Sequence, residues 1–243
     1  MESIIKFYAE GLVNSFRIPQ TAVYQNTELC PKKTHISGLL SNILGKNEEF
    51  YYKILLPSIK IGVIPINLEG IFVDLWQFKK WKASNIGGRA VVKREKLFQV
   101  NYEIFISLDR PSDATLLKEI YKSLKYPKRP PSLGMDDELI KISHVKEIDK
   151  WKEISKPEKI DSIFPLYEDL EYDFYLFENS KNRLIIPPRI INVNLLYEYS
   201  IPRIPKLYLD MVEFFNGYCK IKNFPEKYPF EIIQYEDKII VMW

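Results

Sequence analysis

The segment from Gln77 to Gln99 carries the densest chemistry in the chain. It holds seven basic residues and one acid, Glu95, a local charge of +6 in a chain whose net charge is +3. The basic residues are Lys79, Lys80, Lys82, Arg89, Lys93, Arg94 and Lys96. Trp76, Phe78, Trp81 and Phe98 interleave with them. Clustered cations attract phosphates and aromatic rings stack on bases, so the segment predicts contact with RNA. A solvated charged hairpin is the alternative interpretation.

The two histidines are the side chains that could move protons near neutral pH. His35 follows Thr34, a predicted helix N-cap, and helix N-termini bind anions, so these two residues are candidates for RNA contact. His144 falls within a predicted strand, where we expect a structural role. Cys30 and Cys219 lack metal-ligand spacing, and phosphate-binding or nucleotide-binding fingerprints are missing from the sequence. We expect neither a metal nor a cofactor.

The elements that must position these side chains follow from periodicity. Residues 3–10 predict a strand, 11–33 a loop, and the helix from Thr34 ends at Gly45. Strands are predicted over 58–68, 100–108 and 138–148, and a helix over 113–124. Gly87-Gly88 would turn a long hairpin within the basic segment. The order β-α-β-β-α-β is that of ferredoxin-like domains, which RNA-recognition domains also use.

The pattern changes after about residue 150. Short β-like runs at 172–177, 230–235 and 238–243 accompany one helical candidate at 205–216. We therefore predict an α+β fold with two domains. Residues 1–150 form a ferredoxin-like domain with an inserted hairpin at about 70–99, and residues 151–243 form a smaller, irregular β-rich domain.

Three segments in this order and spacing resemble one family. They are Gly11–Pro19 after the first strand, Pro31–Leu40 running on to Gly45, and Tyr126–Gly134 after the second helix. Together they are similar to the fifth CRISPR-associated family, one of the repeat-associated mysterious proteins, whose members sit in the type I Cascade complex. The resemblance covers roughly residues 1–145. The basic insertion matches the position of that family's thumb hairpin.

The resemblance implies a non-catalytic protein that clamps the 5′ handle of the guide RNA (crRNA). It also implies contacts with the backbone and large subunits of Cascade, and with target DNA inside the complex. Members of one subtype cut repeat RNA with a Tyr-Lys-His set that has adjacent Lys and His. Here neither histidine has a neighbouring lysine. A metal-independent endoribonuclease and an unrelated ferredoxin-like interaction module are the alternatives.

The motifs nominate residues for RNA contact. The guanidinium of Arg17 could take a phosphate or a base edge, whereas Phe16 is expected in the core. Gly134 could admit an RNA backbone or simply form a tight turn, and both interpretations stay open. The full candidate set is Asn14, Ser15, Arg17, Thr34, His35, Trp76, Lys79, Lys80, Lys82, Arg89, Lys93, Arg94, Ser132 and Gly134. No membrane partner is expected, because no apolar stretch of about 18 residues is present, and we expect a cytoplasmic protein.

Overall fold

The computed structural model describes residues 3–19, 21, 23–79, 88–109, 114–177, 184–200 and 204–243. The strands are β1 Ile4–Asn14, β2 Phe16–Arg17, β3 Tyr24–Gln25, β4 Thr27–Glu28, β5 Ile59–Lys79, β6 Arg89–Leu108, β7 Ile140–Ile148, β8 Lys152–Glu153, β9 Lys159–Ile160, β10 Phe164–Pro165, β11 Glu171–Leu176, β12 Arg189–Glu198, β13 Ile204–Glu213, β14 Gly217–Asn223, β15 Glu231–Tyr235 and β16 Lys238–Met242. The helices are α1 Lys33–Leu44, α2 Glu48–Phe50, α3 Leu56–Ser58 and α4 Ala114–Lys125, with a π-helical turn at Tyr51–Leu55. The fold is α+β and rich in strands, as the sequence predicts.

The largest sheet has the strand order β3-β6-β1-β7, with β5 paired to the remaining edge of β6. β1 runs antiparallel to both β6 and β7. β5 and β6 form one long antiparallel pair, which extends from Ile59 opposite Leu108 to Lys79 opposite Arg89. The predicted strands 58–68 and 100–108 are thus the inner halves of much longer strands. Their outer halves carry the basic segment.

One face of this sheet packs on the helices. Ile5, Phe7 and Ala9 alternate along β1 and are buried with the apolar stripe of α1. α1 ends at Gly45 in a left-handed conformation with φ of 66°, as predicted. The predicted N-cap at Thr34 is wrong by two residues. Lys32 occupies that position, and its backbone N–H donates to His35 rather than remaining unsatisfied.

The opposite face carries the hairpin β15–β16. Ile4, Phe105 and Ile240 share a second apolar cluster there. The buried carboxylate of Glu103 accepts hydrogen bonds from Lys6 and Lys238, each at 2.5 Å, and so joins β1, β6 and β16. Two cations on this carboxylate, Lys6 buried and Lys238 half-buried, offset the desolvation cost that a lone buried charge would carry. This face of the sheet is therefore covered by the hairpin β15–β16, which lies far from β1 and β6 in the sequence.

Two local predictions are wrong. Residues 205–216 do not form a helix, because most of the segment is β13, which pairs with β12 through nine residue pairs. Its apolar residues Leu207, Leu209 and Met211 alternate, and that period suits a strand. Residues 11–33 are not all loop, since β1 continues to Asn14 and β2, β3 and β4 follow. The β-like runs 172–177, 230–235 and 238–243 are confirmed as β11, β15 and β16.

The buried core includes residues from both sides of residue 150. Tyr102 of β6 contacts Phe215 at 5.9 Å between ring centroids, and both belong to one apolar cluster. The C-terminal part thus contributes to the same core as α1 and β1. The division into domains at residues 1–150 and 151–243 stays a prediction.

Candidate nucleic-acid interface

Three predicted residues, Arg17, Thr34 and His35, line one cavity of about 100 Å³. We call it the Arg17 cavity. Its other lining residues are Pro19, Glu28, Lys32, Asn192, Val193, Asn194, Tyr197, Pro205 and Tyr208. One wall thus comes from the N-terminal segment and the start of α1, and the other from the hairpin β12–β13. The sequence motifs located the first wall and missed the second.

His35 is held as a neutral ring. The backbone N–H of Lys32 donates to Nδ1 of His35 at 3.1 Å, so the proton of the neutral imidazole lies on Nε2. Burial lowers the pKa of His35 to about 4, and the charge of Lys32 adds to the effect. The ring also packs against Phe16, with 5.0 Å between centroids. A side chain with this pKa is poorly matched to general-base catalysis at neutral pH.

A buried ion cluster lies beneath the Arg17 cavity. The carboxylate of Glu213 accepts from Lys32 Nζ at 2.6 Å and from Arg189 Nε at 2.7 Å. It also accepts from the backbone N–H groups of Leu29 at 3.0 Å and Cys30 at 3.3 Å. Burial alone would raise the pKa of Glu213, but the charges of Lys32 and Arg189 and these hydrogen bonds lower it. Glu213 therefore stays ionised and fixes the segment before α1.

Glu28 is the second carboxyl of this region and differs from the first. It is 4% exposed, and its Oε2 atom has no hydrogen-bond partner. Burial raises the pKa of Glu28 to about 8 against the opposing charge of Lys32, and nearby Glu213 raises it further. A carboxyl with this pKa is mostly protonated near pH 7. The motifs gave no indication of it, because Glu28 lies in a segment predicted as loop.

Asn14, Ser15 and Gly134 meet at a different point, around the buried carboxylate of Glu138. Glu138 accepts from the backbone N–H and the hydroxyl of Ser15, at 2.7 and 2.6 Å, and from Lys96 at 2.9 Å. Asn14 donates to the carbonyl of Leu133 at 2.7 Å. These side chains are buried in protein contacts, so the motif acts as an internal joint, and RNA contact by Asn14 and Ser15 stays a prediction.

Gly134 belongs to the same joint. Its φ of 108° is a conformation that other residues rarely adopt, and a Cβ there would lie 2.5 Å from the carbonyl oxygen of Ser15. The close approach of backbone to backbone accounts for the glycine and favours the tight-turn interpretation. Ser132, two residues earlier, forms an isolated bridge with Leu139 and is partly buried. RNA contact by Ser132 and Gly134 is a prediction that the geometry does not require.

The outer half of the β5–β6 pair, residues 70–79 and 89–99, is the second candidate surface, which we call the β5–β6 arm. Arg94 is buried there, and its Nε and Nη2 donate to Gln25 Oε1 at 2.9 and 2.7 Å. Its guanidinium also lies over Trp76, 4.4 Å from the ring centroid. Arg94 therefore ties β6 to β3. RNA contact by Arg94 would require these contacts to change and stays a prediction.

The remaining cations of the arm differ in placement. Arg89 and Lys93 are exposed, whereas Lys96 is buried against Glu138. Lys79 ends β5 opposite Arg89, and Lys80 and Lys82 lie outside the described residues. Exposed apolar side chains accompany these cations, among them Phe72, Leu75, Trp76 and Phe78. The arm thus combines outward cations with aromatic surface, as its sequence indicates.

His144 lies apart from both surfaces. It has a φ of 52° beside the register shift between β1 and β7, is exposed, and contacts the ring of Tyr8 at 5.3 Å. The two histidines therefore do not share a site. The described residues hold no group of three or more His, Cys, Asp or Glu side chains arranged for a metal ion. Nor does any described helix have the length and apolar character to cross a membrane.

The sequence matches a known protein family. The family model described as "CRISPR-associated protein (Cas_Cas5)" matches residues 4–187. That range includes the Arg17 wall of the cavity, the Glu138 joint and the whole β5–β6 pair. No curated protein matches the sequence.

Solved structures add similarity of fold. A CRISPR protein from Archaeoglobus fulgidus is 11% identical, with a TM-score of 0.56 over 98% of each chain. A chain of a CRISPR RNA-guided surveillance complex is 14% identical, with a TM-score of 0.50 over 90% of this chain and 91% of that one. A Cas protein is 20% identical, with a TM-score of 0.40, and the match spans 56% of this chain and 58% of that protein. At these identities the similarity concerns the fold.

Proposed function

The chain belongs to the CRISPR-associated protein (Cas5) family, and from that premise we propose that it is a non-catalytic, RNA-binding subunit of a CRISPR effector complex. In this proposal it caps the 5′ handle of the guide RNA. The observation that carries the proposal is the β5–β6 arm, which presents Arg89 and Lys93 outward beside exposed aromatic rings. Such a surface suits the phosphates and unstacked bases of single-stranded RNA.

The arrangement of the sheet supports the finer assignment of fold. β7, β1, β6 and β5 lie side by side and antiparallel, with α1 following β1 and α4 following β6. This order supports a ferredoxin-like domain in which the β5–β6 arm is the thumb. Because β5 and β6 continue past the end of their pairing with β1, such a thumb can reach RNA without disturbing the core.

Partners follow from the same proposal. The handle of the guide RNA lies between the β5–β6 arm and the N-terminal segment, and the backbone and large subunits of the complex are the protein partners. Target DNA is met only inside the assembled complex, where base pairing reads its sequence. Catalysis is not part of the proposal, because His35 is neutral with its Nδ1 occupied and His144 lies on another face.

The experiment that tests this function measures how salt affects binding of a handle-bearing repeat RNA. Removing the two exposed cations, in Arg89→Ala/Lys93→Ala, should weaken binding and lower the slope of log affinity against log salt. Each phosphate contact contributes about 0.7 to that slope for single strands, so a loss of about 1.4 is expected.

The matched control removes the same charge elsewhere. Lys220 and Lys222 are exposed on β14, in a sheet with β11 and β9 that includes neither the arm nor a wall of the Arg17 cavity. Lys220→Ala/Lys222→Ala should leave the slope near that of the wild type. Equal slopes for both double variants would contradict the assignment of the arm to RNA, and absence of any binding by the wild type would contradict RNA binding altogether.

A further inference from the structure

Glu95 is the one acidic residue in the basic segment from Gln77 to Gln99. A carboxylate in a surface that binds phosphates repels them, so this residue calls for an explanation. It accepts hydrogen bonds from the side chain of Asn26 at 3.1 Å and from the backbone N–H of Thr27 at 3.2 Å. Glu95 therefore joins the base of the β5–β6 arm to the start of β4.

The two residues that this carboxylate holds also bracket Arg17. The backbone N–H of Phe16 donates to Thr27 Oγ1 at 2.8 Å. The backbone N–H of Ile18 donates to the carbonyl of Asn26 at 3.0 Å. Arg17 lies between these two bonds on β2, a strand of two residues that pairs with β4. So short a pair of strands is marginally stable on its own, and it therefore depends on contacts from outside.

The side chain of Arg17 depends on this backbone for its direction. It is exposed, and its Nη2 donates to the carbonyl of Thr21 at 3.4 Å, which is long for a hydrogen bond. A guanidinium recognises a phosphate or a base edge through a planar set of donors, so a small shift of the backbone weakens such a contact. The position of Arg17 is thus set by the residues on either side of it.

We infer that Glu95 is a positioning residue for RNA binding and that it acts through Arg17. Its carboxylate fixes Asn26 and Thr27, and these fix the backbone on both sides of Arg17. The inference rests on the proposed RNA-binding function and gives the acid of the basic segment a favourable role. Electrostatics alone assigns it the opposite role, because a negative charge among cations lowers the affinity for phosphates.

The test measures the affinity of the handle-bearing repeat RNA by fluorescence anisotropy at one salt concentration. Glu95→Gln removes a negative charge from the arm, yet it leaves one oxygen for the two donors of Asn26 and Thr27. It should bind this RNA about fivefold more weakly than the wild type, part of what one charge-assisted hydrogen bond contributes.

Asp74→Asn is the matched control. Asp74 lies on β5 opposite Arg94, so this change removes the same charge from the same arm. It should raise the affinity by up to about twofold, because a repulsive charge is lost and exposed charges are screened by salt. The two isosteric variants are thus expected to change the affinity in opposite directions.

Repeating both changes in the Arg17→Ala background separates positioning from other causes. Without Arg17 there is no guanidinium to position, so Glu95→Gln should no longer weaken binding and should behave like Asp74→Asn. A purely structural loss would weaken binding in both backgrounds, and a purely electrostatic effect would strengthen it in both. A loss confined to the background that contains Arg17 is therefore specific to the positioning role.

Asn26→Ala tests the same joint from its other side without a change of charge. It removes the donor to Glu95 Oε1 and should weaken binding in the wild-type background but not in Arg17→Ala. Thermal melting of every variant verifies folding, and Asn26→Ala decides the question if Glu95→Gln unfolds.

The outcomes separate the inference from the proposed function. If Glu95→Gln binds as tightly as the wild type or more tightly, or loses equally in both backgrounds, the positioning role is overturned and the RNA-binding function stands. The same holds if Arg17→Ala binds as well as the wild type. A wild type that does not bind the RNA would overturn the proposed function itself.

Discussion

The β5–β6 arm and the Arg17 cavity both contain residues that the sequence predicts for RNA contact, yet the cations of the two regions differ in their exposure. The arm presents Arg89 and Lys93 to solvent, whereas the cavity lies over Lys32 and Arg189, which both pair with the buried carboxylate of Glu213. Exposed cations can bind any phosphate backbone, whereas cations paired with a carboxylate inside the protein are already committed. A run of charge in the sequence therefore does not show which cations are available for RNA, because the fold decides which of them find a buried partner.

The largest effect on stability is expected from removing Glu213, the carboxylate beneath the Arg17 cavity. Glu213→Ala would leave Lys32 and Arg189 without their carboxylate, and breaking a buried pair in this way costs about 3–5 kcal/mol. The free energy of unfolding, measured in urea, should fall by that amount. The exposed pair Glu198–Lys206 provides the control, since Glu198→Ala should cost less than about 1 kcal/mol. Similar losses for the two variants would mean that the buried cluster does not support the fold.

A second comparison lies within the arm itself. Arg94→Ala removes two charge-assisted hydrogen bonds to Gln25 and the contact with Trp76, so unfolding free energy should fall by about 1.5–3 kcal/mol. Arg89→Ala, only five positions away on the same strand, should change it by no more than about 0.5 kcal/mol. The reverse order would show that Arg94 is the outward cation and Arg89 the structural one.

The third comparison concerns the pH dependence that His35 gives to stability. Its folded pKa of about 4 lies below the unfolded value near 6.5, so the unfolded chain binds a proton first as pH falls. Stability from this source is complete above about pH 6.5 and is lost as pH falls toward 4. His35→Gln should show a shallower decline over this window in urea titrations at successive pH values. Parallel curves for wild type and variant would place His35 in water rather than against Phe16.

Periodicity was sufficient for the parts of the fold in which neighbours in sequence are neighbours in space. The stripe of α1 and its stop at Gly45 follow from local chemistry, and the alternating run before residue 10 follows from pairing on one sheet face. The strand at β13 could not be separated from a helix by its own residues, because its pairing with β12 decides the outcome. The sequence also underestimated the lengths of β5 and β6, because their outer halves are strands only through their pairing with each other.

The candidate site residues also separate into those that local sequence predicts and those that depend on tertiary contacts. Arg17, Thr34 and His35 were found from motifs, and Arg89 and Lys93 from charge. Glu28, Asn194 and Glu213 were not, since burial determines their protonation and partners. One weak signal was present: Glu213 stands among the apolar residues Met211, Val212, Phe214 and Phe215, where an acid requires a buried partner.

The closure of the central sheet has a consequence for biosynthesis. Ile61 on β5 exchanges two backbone hydrogen bonds with Trp243, each at 2.9 Å. Glu103 on β6 accepts a hydrogen bond from Lys238 on β16. Both contacts require residues 238–243 to have been synthesised. While the ribosome is still making residues 149–230, the sheet of β1, β5, β6 and β7 has one apolar face and one strand edge uncovered. Uncovered edges and faces are the surfaces through which nascent chains aggregate. The central sheet can therefore be completed only after β16 has been translated.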